Sequence, residues 1–280
     1  MMLSCNATKP ELRATEIHEA QKRAEPAKDP RLAEISKALS SMSQISPERA
    51  LAAIAAEAAI LANPGRFLQL LEKIEQEEKA VPGLFLLVDK QHELPQNYEP
   101  DDIVSLNDYP VSIARKDLKL RKSIMIPVLK LVEAALNDGV DLVFASSYRS
   151  WEYQKGLFER YSMSYGEAEA ARFSARAGQS QHQLGTVMDF APISDDFAAT
   201  KAGHWMKENA AKYGFSISFP ENMENVTGYI WESWHYRYLS IPACSMEKEY
   251  FGGIQQYLLE FINILCSSPK LIIRKCKQKA

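Results

Sequence analysis

The chain has 280 residues, with 33 Lys and Arg against 36 Asp and Glu, so its net charge is −3. That balance argues against a protein that holds nucleic acid through phosphate contacts, which carries a basic excess. Apolar residues make up 46% and charged residues 25%, a globular mixture. No run of about 18 apolar residues is present, which excludes a membrane-spanning helix.

In chain order, Met1-Met2-Leu3-Ser4-Cys5 has neither a basic n-region nor an apolar h-region, so it is no intact signal peptide. Leu3-Ser4-Cys5 resembles the end of a bacterial lipoprotein signal. Two readings stand: a trimmed start with a lipid anchor at Cys5, or an ordinary start with an incidental cysteine. Residues 1–45 are rich in Ala, Lys, Glu and Arg and read as a flexible or loosely helical arm. Residues 46–83 read as a helical leader. Ser46 is a cap followed by Pro47 at the first helical position. Asn63-Pro64-Gly65 breaks that helix, and Phe67, Leu68, Leu70, Leu71 and Ile74 recur at helical spacing in the next.

Leu84 to Val88 reads as a short buried strand and 91–102 as a polar loop. The spacing predicts a helix over 116–137, kinked at Pro127 and closed by Asp138-Gly139. A strand over 140–145 follows, then helices over 150–161 and 166–173 and a strand over 186–190. A helix over 200–213 stops at Gly214. Strands over 215–219 and 229–238 precede a last helix over 246–262, and residues 264–280 form a basic tail. Helices mixed with short strands, without a strict βαβ rhythm, indicate an α+β fold: a small, mostly antiparallel sheet flanked by helices, with an α-helical N-terminal leader. The four cysteines, at 5, 244, 266 and 276, form no C-x-x-C pair. They read as unpaired thiols or one late disulfide, not a zinc site.

Three clusters carry the chemistry: Ser146-Ser147-Tyr148-Arg149-Ser150, the stretch from Gly178 through His182 to Asp189, and Trp231 to Tyr238. Two histidines and one aspartate make a three-ligand set, and three protein ligands with an open fourth position is the layout of a catalytic zinc site. Glu232 lies three residues before His235 and is the carboxylate placed to take a proton from water. Arg149 offers a fixed positive charge for a carboxylate or an oxyanion. Taken singly, each residue also has a structural reading. His182 could be a solvated loop histidine, His235 a hydrogen-bonded sheet residue, Asp189 a turn cap, and Glu232 a partner of Arg237. Arg149 could be a salt-bridge residue. His18 and His92 read as solvated, and His204 as a surface or core histidine.

Taken together, these residues resemble the D-alanyl-D-alanine carboxypeptidase family of the VanY/VanX type, zinc peptidases of the M15 type that act on peptidoglycan stems. Its S-x-Y-R-S-x-x-x-Q pattern is similar to Ser146-Ser147-Tyr148-Arg149-Ser150 with Gln154. Its S-x-H-x(6)-D pattern is similar to Ser180-Gln181-His182 with Asp189, and its E-x-W-H pattern to Glu232-Ser233-Trp234-His235. Leu94-Pro95, Tyr98-Glu99-Pro100, Asn209-Ala210, Tyr213-Gly214-Phe215 and Thr227-Gly228-Tyr229 fall in family order.

The resemblance implies a hedgehog/DD-peptidase-like fold and a zinc carboxypeptidase domain over 84–263. It implies one zinc ion per chain held by His182, Asp189 and His235, with Glu232 as general base and Arg149 stabilising the oxyanion or holding the substrate's end. Gln154, Ser174, Ser180 and Trp234 fall at family pocket positions. The implied substrate is a peptidoglycan stem peptide that loses a terminal D-alanine, and the implied location is extracytoplasmic, in the periplasm or cell envelope. Two other readings are a non-catalytic cell-wall binding module and a cross-bridge endopeptidase of the same fold. The sequence departs from many relatives at Gln181, where they carry Glu, and at Ser233, where they carry Pro. Ser218-Phe219-Pro220 replaces an Arg-Tyr-Pro stretch, which bears on substrate specificity.

One geometric expectation follows. In a regular strand Glu232 and His235, three apart, point to opposite faces. For both to reach one site, a bulge or strand end must fall near Ser233-Trp234. Gly185 is expected to allow close approach of backbone to the site.

Overall fold

In the computed structural model, which describes residues 29–267, the chain begins with three helices. Each starts with proline behind a side-chain cap: α1 Pro30–Ser43 behind Asp29, α2 Pro47–Ala62 behind Ser46, and α3 Pro64–Ala80 behind Asn63. Proline at the first helical position loses no hydrogen bond, and the cap's oxygen takes a backbone N–H left free at the helix start. α2 and α3 meet at 109° across Asn63.

Helix α1 corrects the flexible arm drawn over 1–45. Ile35, Ala38, Leu39 and Met42 lie on one face at helical spacing and are buried in the main core. The composition of that stretch hides this stripe; its spacing reveals it. Residues 1–28, with Cys5, lie outside the described residues, as does the basic tail beyond Ser267.

Leu84 to Val88 is buried as expected but forms no strand. Its backbone is satisfied by side chains instead. The Gly83 and Phe85 N–H groups donate to the Glu78 carboxylate at 2.8 and 3.3 Å, and the Arg237 guanidinium donates to the carbonyls of Leu84 and Leu86, both at 2.8 Å. Strand β1, Ile103–Ser105, pairs antiparallel with β3, Lys119–Arg121. The helix expected from 116 therefore begins only at Met125. Leu118 and Leu120 alternate into the core at strand period, and α4 covers Met125–Asn137. Pro127 falls in its first turn, where proline needs no N–H and makes no kink.

The main sheet has the order β2-β4-β5-β7-β6, with β2 Ser112–Ile113, β4 Val143–Ser146, β5 Val187–Phe190, β6 Phe215–Ile217 and β7 His235–Tyr238. Only the β2–β4 pair is parallel; the others are antiparallel. The strand expected over 229–238 shortens to its last four residues. Before it, the Ile230 N–H donates to the Arg172 carbonyl and the Glu232 N–H to the Phe219 carbonyl, so that stretch follows no single neighbour. Helices α5 Trp151–Tyr165, α6 Glu167–Phe173, α7 Lys201–Asn209 and α8 Glu224–Thr227 flank the sheet. The last expected helix is two, α9 Ile241–Tyr250 and α10 Gln255–Cys266. Gly252 and Gly253, both at positive φ, break it. The helix continues past 263, with Leu265 buried, so the tail boundary at 264 moves outward. Cys244 and Cys266 are buried free thiols.

One hydrophobic cluster runs from Ile35 in α1 through Phe144 and Phe190 in the sheet to Leu265 in α10. The leader thus packs on the rest of the chain and is no separate spacer. A buried ion pair fixes it there: Arg49 of α2 meets Glu260 of α10 at 2.6 Å, and its second nitrogen donates to Glu260 at 2.8 Å. Breaking a buried pair strands the other charge, so Arg49→Ala is expected to destabilise the whole chain by about 3–5 kcal/mol in denaturant unfolding.

Glu247 of α9 is a second buried carboxyl, with Ser216 Oγ donating to it at 2.9 Å and no cation bonded to it. Burial pushes its pKa up to about 8, against the Ser216 hydrogen bond. The folded state then holds a proton that the unfolded state has released, so stability falls as pH rises from the ordinary carboxyl range through about 8. Glu247→Gln removes that dependence. Its melting temperature is expected to fall less than the parent's between pH 6 and pH 9, by calorimetry at both values.

Candidate metal centre

Antiparallel pairing of β5 with β7 sets Asp189 directly opposite His235, and both side chains are buried. The third member, His182, comes from a short 3-10 turn, Gln181–Leu184. Ser180 Oγ caps that turn by accepting the His182 N–H at 3.3 Å. Gly185 ends it in the left-handed region, at φ 68°. A Cβ at Gly185 would lie 2.8 Å from Ile103 and 2.9 Å from Arg121. The close approach expected at this glycine is therefore made by the β1–β3 ribbon, not by the site.

One ligand atom from each of His182, Asp189 and His235 lies within 4.8 Å of the others. His182 Nε2 is 3.2 Å from Asp189 Oδ2, and His235 Nδ1 is 3.1 Å from Asp189 Oδ1. Asp189 Oδ1 is buried and makes no hydrogen bond despite that distance. The donors thus face a shared point more than one another, which is the arrangement a cation needs. His182 is oriented from behind. Its Nδ1 is 2.7 Å from the Ser147 carbonyl, so the N–H belongs there and Nε2 is left with its lone pair towards the centre. The His235 Nε2 is buried without a partner.

The charges fit the same purpose. Burial, with Arg149 nearby, pushes His182 down to about 4, so its ring is neutral at pH 7, as metal ligation would require. Burial also works against a charge on His235, but Asp189 and Glu232 outweigh it and raise that ring to about 9. Burial opposes ionisation of Asp189, yet the two histidines hold it well below the carboxylate range. The two carboxylates give the His235 ring its affinity for a proton, and a divalent ion bound at the same point would take that proton's place. Two imidazole nitrogens and one carboxylate oxygen are a donor set that zinc accepts.

Glu232 lies beside the three ligands, its Oε2 3.3 Å from His235 Nδ1, and burial pushes its pKa up. The strand end expected near Ser233-Trp234 is present: the chain turns there, with the His235 N–H donating to the Glu232 carbonyl at 3.3 Å, and β7 starts at His235. That turn lets residues three apart reach one centre.

Arg149 is fixed by three partners. It donates to Ser146 Oγ at 2.8 Å, to Asp189 Oδ2 at 3.0 Å and to Gln154 Oε1 at 3.3 Å. Gln154 in turn donates to the Ala175 carbonyl at 2.7 Å and to Ser174 Oγ at 3.4 Å. Arg237, the alternative partner of Glu232, is instead spent on the 84–86 carbonyls. His92 is more than a solvated loop residue: its Nδ1 lies 2.8 Å from Asp89.

All nine residues named from the sequence, His182, Asp189, His235, Glu232, Arg149, Gln154, Ser174, Ser180 and Trp234, line one cavity of about 450 Å3. The sequence reading missed the work of Ser146 and Ser147. Ser146 holds Arg149, and the carbonyl of Ser147 aims His182 while its Oγ accepts the Lys119 N–H at 2.9 Å. It also missed the aromatic wall of Tyr161, Tyr165 and Phe173, although tyrosines four apart on a helix were a visible signal. Phe219, at the departure from the family stretch, lays its ring 4.7 Å from that of His235 and 4.8 Å from that of Tyr229. Gln181, the other departure, is buried and accepts from Ser218 Oγ at 2.7 Å.

Comparison with known proteins places this geometry. Residues 117–241 match the family described as D-alanyl-D-alanine carboxypeptidase, VanY. A putative carboxypeptidase, YodJ, of Bacillus subtilis (strain 168) is 34% identical over 195 residues, 67% of this chain and 70% of that one. A D-alanyl-D-alanine carboxypeptidase of Enterococcus faecium is 27% identical over 204 residues, 71% of this chain and 65% of that one. Among solved structures, the LdcB LD-carboxypeptidase superposes with a TM-score of 0.58 at 33% identity, covering 65% of this chain and 87% of that one. A glutamate-to-alanine variant of the D,D-pentapeptidase VanY from the VanB-type resistance cassette, in complex with Zn(II), gives 0.52 at 26% identity, covering 63% and 99%.

The donor geometry predicts one tight zinc per chain, read by elemental analysis after dialysis without chelator. His182→Ala, or His235→Ala, is expected to weaken zinc retention at least 100-fold in competition with a chromogenic chelator.

Proposed function

The chain belongs to the VanY-type D-alanyl-D-alanine carboxypeptidase family, and on that premise we propose that it is a zinc-dependent carboxypeptidase that removes the terminal D-alanine from peptidoglycan stem peptides. The observation that carries this reading is the convergence of His182, Asp189 and His235 on one buried point with Glu232 beside it, in a cavity that can take a peptide end. Two solved relatives support the metal and the substrate: VanY is a Zn(II) complex, and VanYB, at 28% identity and a TM-score of 0.53, is a complex with D-alanine-D-alanine.

Zinc held by His182, Asp189 and His235 would supply Lewis acidity, polarising the scissile carbonyl and acidifying water. Glu232 is the group that accepts the proton of the attacking water and returns it to the departing amine. Its burial raises its proton affinity, which suits a group that must both take and give at neutral pH. Arg149 cannot swing freely, because Ser146, Asp189 and Gln154 hold it. It presents a preset positive charge to the oxyanion or to the substrate's terminal carboxylate. Gln154 and Ser174 bound that end of the cavity, with Ser180 and Trp234 on its walls. Peptidoglycan as substrate would put the protein in the cell envelope.

Glu232→Ala is expected to keep its zinc and lose at least 100-fold in cleavage of a pentapeptide stem, read by mass spectrometry of the digest. Full cleavage by that variant would overturn the assignment of the base. Running tri-, tetra- and pentapeptide stems in parallel reads which bond is cut. A parent protein that binds stems and cuts none would point to a binding module instead.

A further inference from the structure

Strand β6 sits at the edge of the main sheet and pairs only with β7. The segment that ends it, Ser216 to Phe219, reaches both histidine ligands and Glu232. The Ser218 N–H donates to the His235 carbonyl at 3.3 Å, and the Phe219 carbonyl accepts the Glu232 N–H at 3.0 Å. Ser218 Oγ donates to Gln181 Oε1 at 2.7 Å, and Gln181 is the residue before His182. Ser218 thus bridges the two segments that carry the histidines. Gln181 and Ser218 also mark the two departures from the family pattern, and in the fold they are one contact.

A serine side chain is short, so its bond to Gln181 holds only while the β6 backbone stays close. Strand β7 holds that backbone along one edge. Two side chains from the helices that follow hold it further. Glu247 of α9 accepts from Ser216 Oγ at 2.9 Å. Gln255, the first residue of α10, makes two contacts: its Nε2 donates to the Ser216 carbonyl at 3.3 Å, and its Oε1 lies 3.2 Å from Ser218 Oγ. The Ser218 hydroxyl has one proton. The shorter distance gives it to Gln181, and Gln255 is the second acceptor it faces.

Gln181, Ser218 and Gln255 are 5%, 2% and 1% exposed. Water does not replace a partner lost at that depth, and an unpaired buried amide is costly. Satisfied polar groups in a core fix a geometry, which apolar packing alone does not. The residues matched to the family end at 241, so α10 and Gln255 lie outside that match. The same helix anchors the leader through Glu260.

We propose that Gln255 is a positioning residue for the metal centre, acting through Ser218 on the turn that carries His182 and on the backbone of His235. The proposal rests on the reading of His182, Asp189 and His235 as a metal centre. It gives the C-terminal helix a part in setting the ligand geometry, without contact to a ligand side chain.

Two readouts test it: zinc affinity in competition with a chromogenic chelator, and the visible absorption of the cobalt(II)-loaded protein, whose bands follow ligand geometry. Gln255→Leu keeps the volume and loses both contacts. It is expected to weaken zinc about tenfold, the scale of losing a group that orients a ligand, and to shift the cobalt bands. Ser218→Ala is expected to do the same, and Ser218→Thr, which keeps the hydroxyl, to restore the parent values. Leu265→Ala opens a cavity at the far end of α10 and is expected to lower the melting temperature without moving either readout. Unchanged zinc affinity and cobalt bands in Gln255→Leu would overturn the proposal. Equal changes in Leu265→Ala would also overturn it, because stability alone would then explain them. If Gln255→Leu does not fold, Ser218→Ala decides by the same criteria. A parent protein that binds neither metal would remove the metal reading alone. Nitrogen NMR of the imidazole rings in the metal-free protein then decides the positioning: shifted His182 and His235 signals in Gln255→Leu support it, and unmoved signals overturn it.

Discussion

The centre depends on one register: Asp189 of β5 opposite His235 of β7. Side chains alternate along a strand, so a slip of one residue would turn Asp189 away from the histidines. Several buried groups pin this pairing. Val187 lies opposite Arg237 and Met188 opposite Tyr236, on strands that are buried along their length. Arg237 then locks β7 to the 84–86 segment through two carbonyls. A fully buried guanidinium costs much to desolvate, and here it serves as a peg that crosses from the sheet into an irregular stretch. The buried Asp189 carboxylate is tolerable for the same reason: two imidazoles and Arg149 surround it.

The Ser146–Ser150 motif ties several parts of the site together. Ser146 holds Arg149, and the Ser147 carbonyl aims His182. The Arg149 N–H donates to the His182 carbonyl, and Ser150 caps α5. The motif is a junction between the strand that ends at Ser146 and the turn that carries His182. Substitution there would disturb the ligand set without touching a ligand, because orientation of His182 is supplied from behind.

The site was more legible in the sequence than the fold was. His182, Asp189, Glu232 and His235 carry spacing and chemistry in their letters, and the cavity gathers them. Strands were harder. Leu84 to Val88 looks like a strand because its residues are apolar, but burial is all that apolarity reports. Its hydrogen-bond partners, Glu78 and Arg237, are distant or side-chain groups that no local pattern announces. The stretch from Lys116 misled in the opposite way, since Leu118, Leu120 and Ile124 satisfy helical and strand spacing in part. The α1 stripe was legible in its spacing and was obscured by composition. Gly252-Gly253 was a plain break inside an expected helix. The aromatic wall of Tyr161, Tyr165 and Phe173 joins two helices, α5 and α6; the spacing of the tyrosines was visible in the sequence, and the approach of Phe173 was not.

The pairing of Arg49 with Glu260 also bears on how the molecule assembles. The two residues are 211 positions apart, and α1, α2 and α3 share their core with α10. At a synthesis rate of about 5–20 residues per second, the leader emerges on the order of 10–40 seconds before its partner helix exists. During that interval the Arg49 charge and the apolar surface that the leader turns towards α10 have no native counterpart. The leader helices are thus fully covered late, and the closure of the core waits on the synthesis of α10.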